Sequence, residues 1–224
     1  MLFCCYGADG DGVDAVIPLG TLPLSEASAS HPRSKGDALY QVAAAAADAD
    51  EPTEFQFTLY KQSASSSCGW KCDLLDPERL YIHAVSSRDA SPVMEYNTAA
   101  PKALRVRDGD YIVSVNGVRG DSAALQRELG ASAVLSLVLR RPQLRRLSFQ
   151  KAGRRPGLFV KYASQGSTCL WVQRLVSGAI AESGIDIVEG DRITSVCGVA
   201  GDPQAMLEAL RASDPVDLVV VRPA

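Results

Sequence analysis

The sequence predicts a mainly β fold with short helices, an α+β chain built from two small units in tandem. Three observations lead there. First, the run from Gly109 to Pro142 reappears as Gly190 to Pro223 without a gap, with about half of the positions identical. A shared register of that length means one structural unit used twice. Second, short apolar stretches alternate with polar residues at a period of two and are bounded by turn residues, the pattern of half-buried strands. Third, 224 residues accommodate two units of about 80–90 residues each, a size that folds alone.

The elements follow in order. Residues 1–53 are read as a low-complexity, partly disordered tail with a weak helix over residues 36–47, because so little apolar area is available to bury. From residue 54 the alternation begins. Phe55, Phe57 and Leu59 mark a first strand, and Trp70, Cys72 and Leu74 a second. Asp76-Pro77-Glu78 marks a turn, and Leu80 to Val85 a third strand that forms a hairpin with the second. A helix is expected over Pro92 to Ala99, a strand over Tyr111 to Val115, a helix over Ser122 to Leu129 and a strand over Leu135 to Arg140. Asp121 precedes the second helix, where a carboxylate caps free N–H groups.

The second unit repeats the plan. Strands are expected over Arg146 to Phe149, Gly157 to Ala163 and Leu170 to Leu175, then a short helix over Gly178 to Ser183. A strand over Arg192 to Val196, a helix over Pro203 to Leu210 and a last strand over Val216 to Val221 follow. Pro203 after Asp202 is a helix start, since proline lacks an N–H that the first turn leaves unpaired anyway. The units are bounded at 54–142 and 145–224, and Gln143-Leu144-Arg145 is read as a very short linker that limits relative motion.

Composition narrows the function. The net charge of -3 and pI of about 5.4 supply no basic field for nucleic acid. The aromatic content of 6% also argues against stacking platforms for single strands. No apolar run approaches the roughly 18 residues that span a bilayer. No Gly-x-Ser-x-Gly elbow, phosphate-binding glycine loop or HExxH occurs, so no catalytic residue and no enzyme activity is expected. Cys68 and Cys72 have a metal-compatible spacing but no second pair beside them, and neither a metal nor another cofactor is expected. The start lacks a secretory signal, so a cytoplasmic location with reduced thiols is expected.

Two segments carry the family signal. Gly109-Asp110-Tyr111-Ile112-Val113-Ser114-Val115-Asn116-Gly117 and Gly190-Asp191-Arg192-Ile193-Thr194-Ser195-Val196-Cys197-Gly198 resemble the G-D-x-I-x-x-V-N-G segment of PDZ domains. The resemblance covers both units and leaves out the tail. It implies two PDZ-like six-stranded β-barrels or sandwiches in tandem. It further implies a groove between the second strand and the second helix of each unit. There a partner's C-terminal or extended peptide adds as a strand, with main-chain hydrogen bonds giving affinity and side-chain pockets giving specificity.

Under that resemblance the carboxylate loop of the second unit is Gly157-Leu158-Phe159-Val160, with Phe159 where the family has a second glycine. Pro203 and Leu207 line the helix side. Arg154 and Arg155 precede the loop and are read either as added positive charge or as solvated surface residues. In the first unit the corresponding positions are Gly69, Trp70 and Cys72, with Lys71 at the second glycine position and Ser122 and Gln126 on the helix. That groove departs further from the family, so binding is assigned mainly to the second unit. Neither helix begins with histidine, which points to an apolar terminus as ligand.

Two more signals stand apart. Cys4 and Cys5 resemble S-palmitoylation sites, which implies peripheral association at the cytoplasmic face of a membrane; the alternative is two unmodified thiols. Arg145-Arg146-Leu147-Ser148 is similar to a basophilic kinase site, against a plain strand reading for Ser148. The functional expectation is therefore a non-enzymatic adaptor or scaffold that binds peptides. Its rival is a membrane-tethering or assembly subunit with degenerate grooves.

Overall fold

The structure, a computed structural model, describes residues 52–87, 90–163 and 166–223. The expected tail, with Cys4, Cys5 and the helix over residues 36–47, lies outside the described residues. The first unit contains β1 (Glu54–Tyr60), β2 (Trp70–Asp73), β3 (Leu80–Val85), α1 (Pro92–Ala99), a 3-10 turn (Lys102–Leu104), β4 (Tyr111–Val115), α2 (Ser122–Ala131) and β5 (Val134–Arg140). The second contains β6 (Pro142–Phe149), β7 (Leu158–Lys161), β8 (Leu170–Leu175), α3 (Ala179–Ser183), β9 (Arg192–Val196), β10 (Val199–Ala200), α4 (Pro203–Ala212) and β11 (Val216–Pro223).

Both sheets are antiparallel and share one topology. The orders are β1-β5-β4-β3-β2 and β6-β11-β9-β8-β7, with β10 attached to β9. The first sheet thus has five strands where six were expected. A single bridge between Val115 and Val118 stands where β9 and β10 form a two-pair ladder. In each sheet one end is the second strand of the unit, β2 or β7. Along β1 the side chains alternate exposed and buried, as the Phe55, Phe57, Leu59 spacing predicts. Each unit has its own core. Leu80, Ile112, Leu125, Leu135 and Leu137 are fully buried in the first; Leu170, Val172, Ile193, Met206 and Leu210 are fully buried in the second.

The sequence repeat has a structural counterpart at several of its polar positions. Asp110 accepts two bonds from Arg141 Nη1 at 2.6 and 2.7 Å, and Asp191 accepts Arg222 Nε at 2.6 Å and Nη2 at 2.8 Å. These aspartates are the second residues of the two Gly-Asp segments, and the arginines precede the two closing prolines. Asp121 caps α2 through Ala123 N at 2.9 Å and Ala124 N at 3.2 Å. Asp202 caps α4 through Gln204 N at 2.9 Å and Ala205 N at 3.2 Å. Asn116 and Cys197 both take positive φ, at 50° and 49°. Asn116 Oδ1 accepts the Ser136 N–H at 2.9 Å, and Cys197 Sγ does the same for Asp217 N–H at 3.4 Å. The sulfur therefore replaces the amide oxygen at the equivalent turn position.

The expected linker is not a linker. β6 begins at Pro142, so Gln143, Leu144 and Arg145 already pair with Arg222, Val221 and Val220 of β11. With β5 ending at Arg140, the two units are separated only by Arg141, itself locked to Asp110.

The units are also joined side by side. Tyr81, Tyr111, Val113 and Val138 of the first form one buried cluster with Cys169 and Val221 of the second. Through it runs Arg192, which is 0% exposed. Its guanidinium donates to both oxygens of Asp73, at 2.7 and 2.8 Å, and lies 4.2 Å from the centroid of the Tyr81 ring. Arg192 and Tyr111 occupy the same position in the two repeats, so this position diverged where the units meet.

Candidate functional site

The candidate clefts lie between β2 and α2 and between β7 and α4. β7 pairs with β8 on one side and closes the sheet order on the other, which leaves one margin without a strand partner among the described residues. An unpaired strand margin is a template for strand addition. The same holds for β2.

At the head of β7 the chain passes through Gly157 at φ +84°. A Cβ there would lie 2.7 Å from the Val176 carbonyl oxygen and 3.1 Å from Gly178 Cα. Both the torsion and the contact with backbone demand glycine. Gly69 holds the equivalent place in the first unit at φ +95°, with Ser91 Cβ 2.6 Å from its virtual Cβ. The loop conformation is therefore duplicated even though the residues after the glycine differ.

Leu158 and Val160 point into the second core, as does Leu207 from α4. Leu158, Val160, Leu207 and Leu210 are 6%, 2%, 1% and 0% exposed, so these side chains belong to the core and offer little free apolar surface. Pro203 is half-buried at the start of α4. Phe159, alternate to Leu158 and Val160, is half-buried on the other face, where the Arg174 guanidinium lies 4.4 Å from its ring centroid. Its ring is thus held against β8. In the first unit Trp70 is buried in the core, its Nε1 without a hydrogen-bond partner, and Cys72 is half-buried. The end of β2 is committed elsewhere, because Asp73 is the partner of Arg192.

Of the two arginines before the loop, Arg154 pairs with Glu182 of α3 and Arg155 is exposed. Sequence reasoning missed a buried cation at the C-terminus of α2 and another at the C-terminus of α4. Lys151 is buried, and its Nζ donates to Leu210 O at 3.1 Å and Arg211 O at 2.6 Å, at the C-terminus of α4. Lys61 is equally buried, donating to Leu129 O at 2.6 Å at the C-terminus of α2 and to Ala64 O. Both ammonium groups satisfy last-turn carbonyls and oppose the negative end of the helix dipole. The available signal was their shared place after the first strand of each repeat.

One side-chain bond joins the residue after β7 to α4. Tyr162 follows β7 directly, and its hydroxyl donates to Oε1 of Gln204 in the first turn of α4 at 3.3 Å. Ser148 is exposed on β6, opposite Asp217 of β11. No group of metal-binding side chains occurs among the described residues, and no helix there is long and apolar enough to cross a membrane.

Electrostatics concentrate at the joint between units. Burial pushes the Tyr81 and Tyr111 hydroxyls up, and it pushes the Cys169 thiol up against the opposing pull of Arg192. Burial alone would lower Arg192, but Asp73 reverses that and holds the guanidinium charged. Burial lowers His83, on β3 with its Cε1 3.7 Å from the virtual Cβ of Gly166 in the second unit.

The order strand, strand, strand, helix, strand, helix, strand, with the second strand at the sheet margin and the last helix beside it, is that of a PDZ domain. Both units thus have the PDZ-like fold that the sequence resemblance implies. No family model and no curated protein matches it. Among solved structures it is similar to INAD PDZ45 in complex with NG2 peptide, at 20% identity over 76% of this chain and 89% of that one, with a TM-score of 0.32. It is also similar to INAD PDZ45 in complex with NORPA CC-PBM, at 17% identity over 77% of this chain and 93% of that one, with a TM-score of 0.35.

Proposed function

We propose that this protein is a non-enzymatic adaptor that holds the C-terminal or extended segment of a partner protein as an added strand on β7, between β7 and α4. The observation that carries this reading is the unpaired margin of β7 placed directly after the Gly157 turn, with Leu158, Val160 and Leu207 as apolar neighbours. Main-chain hydrogen bonds along that margin supply affinity, and the Leu158, Val160, Leu207 floor selects an apolar last side chain. Because these floor residues are already buried, α4 must give way to admit that side chain. Part of the binding energy goes into the opening, so affinities are expected in the micromolar range, about -8 kcal/mol.

The first unit acts chiefly as a packing partner in this reading. Its strand β2 ends in Asp73, which is held by Arg192 of the second unit. The expected experiment is a titration of the full chain with C-terminal peptides ending in Val, Leu or Ile, followed by the same peptides amidated. Micromolar binding that disappears on amidation supports carboxylate capture at the Gly157 loop. Binding indifferent to amidation contradicts it.

A further inference from the structure

We infer that Tyr162 and Gln204 form a strap across the second cleft that sets how many residues of a bound segment are read. The inference rests on the peptide-binding reading above and names a specificity element within that site.

The two residues belong to opposite walls. Tyr162 is the first residue after β7, and Gln204 lies in the first turn of α4. Their hydrogen bond, hydroxyl to Oε1 at 3.3 Å, joins the walls at the end away from Gly157. The strap is supported on both sides. The Tyr162 ring packs against the second core, and Gln204 Nε2 donates to Glu208 Oε1 at 3.4 Å along the same helix. Asp202 caps the helix through Gln204 N at 2.9 Å, so the backbone that carries the glutamine is fixed.

The strap closes a defined length. A strand rises about 3.3 Å per residue, so the path from Gly157 to Tyr162 accommodates about four residues of an antiparallel partner. A segment that ends at the Gly157 turn must therefore either stop short of Tyr162 or break the strap. Breaking it loses one exposed hydrogen bond, worth about a three- to tenfold penalty in affinity for the longer segment. The first unit has Leu74 and Ala123 at the equivalent places, which form no such bond, so the strap belongs to the second cleft alone.

The test uses the full chain and a display library of seven random residues with a free C-terminus. The parent protein is expected to select sequence at the last four positions and no further. Tyr162→Phe keeps the ring and removes the donor; Gln204→Ala removes the acceptor. Each is expected to extend selection to the fifth position and beyond. Each should also raise affinity for a selected heptapeptide about three- to tenfold, while the same peptide cut to four residues is unchanged. The double variant should do no more than either single, since both remove one bond. Equal depth of selection in the parent and both variants would overturn the strap and leave the peptide reading standing. No enrichment in any of the three proteins would overturn the peptide reading and the strap with it.

Discussion

Replacing Asp73 by alanine should damage this protein far more than an average surface substitution. Arg192 is 0% exposed and directs two nitrogens at Asp73, at 2.7 and 2.8 Å. Its other neighbours are the Tyr81 ring, the Tyr111 ring at 5.9 Å and Cys169 Sγ at 3.6 Å, and its Nε has no partner. Removing the carboxylate leaves a buried guanidinium with only two tyrosine rings and a sulfur to answer it. Breaking a buried pair in this way costs about 3–5 kcal/mol. That is a large part of the roughly 5–15 kcal/mol that stabilises a typical domain. Because Asp73 and Arg192 lie in different units, the loss also loosens their joint. Urea unfolding of Asp73→Ala, followed by tryptophan fluorescence and by circular dichroism, should show a lower midpoint and transitions that no longer coincide. The paired change Asp73→Leu with Arg192→Met removes both charges. It should return to within about 1 kcal/mol of the parent, since apolar replacements of buried pairs are commonly neutral or stabilising. A loss below about 1 kcal/mol for Asp73→Ala, or a paired variant as unstable as the single one, would refute the assignment of this ion pair as the pin between units.

Further outcomes follow from the same geometry. Gly157→Ala places a Cβ 2.7 Å from the Val176 carbonyl oxygen at φ +84°, so it should lose about 1–3 kcal/mol in thermal unfolding and all measurable peptide binding. Asp202→Ala removes the cap of α4 and should cost about 1 kcal/mol by the same measurement; Asp121→Ala should cost a similar amount through α2. His83 has a pKa lowered from 6.5 by burial, so the unfolded chain takes up the proton first. Its stabilising contribution is complete above pH 6.5 and is lost as pH falls from there toward the lowered folded value. Denaturation midpoints measured from pH 8 to 5 should fall more steeply for the parent than for His83→Gln.

Most strands of both sheets were legible because their apolar residues alternate and because the second copy checks the first. Phe55, Phe57 and Leu59 face one core, and Tyr111 to Val115 has its counterpart in Arg192 to Val196. The start of β6 was not legible. Gln143 and Leu144 are exposed and Pro142 and Arg145 only partly buried, so no alternating apolar face announces the strand; its pairing is dictated by β11. The joint between units was hidden for a different reason. Asp73 and Arg192 are separated by 119 positions, and a polar residue in a strand reads as solvent-facing until a partner surface is known. The repeat did contain a trace of it, since Tyr111 and Arg192 differ inside an otherwise matching segment. Of the candidate site, the Gly157 turn and the Leu158, Val160, Leu207 floor were legible by resemblance. Lys61, Lys151 and the Tyr162–Gln204 strap required knowing which helix end and which strand end meet.

The duplicated fold thus places equivalent loops at the heads of β2 and β7 but uses the two strands differently. Both strands keep a margin without a strand partner among the described residues, but the end of β2 is committed to the joint through Asp73 and the end of β7 is not. That asymmetry is the basis for assigning recognition to the second unit.

Hydrogen exchange of the full chain, with and without a saturating C-terminal peptide that ends in valine, tests this most directly. Strand addition predicts new protection of amides in Leu158–Lys161, accompanied by slower exchange in Pro203–Ala212, with Trp70–Asp73 unchanged. Protection confined to Trp70–Asp73 and Ser122–Ala131, or binding without any change along Leu158–Lys161, would contradict it.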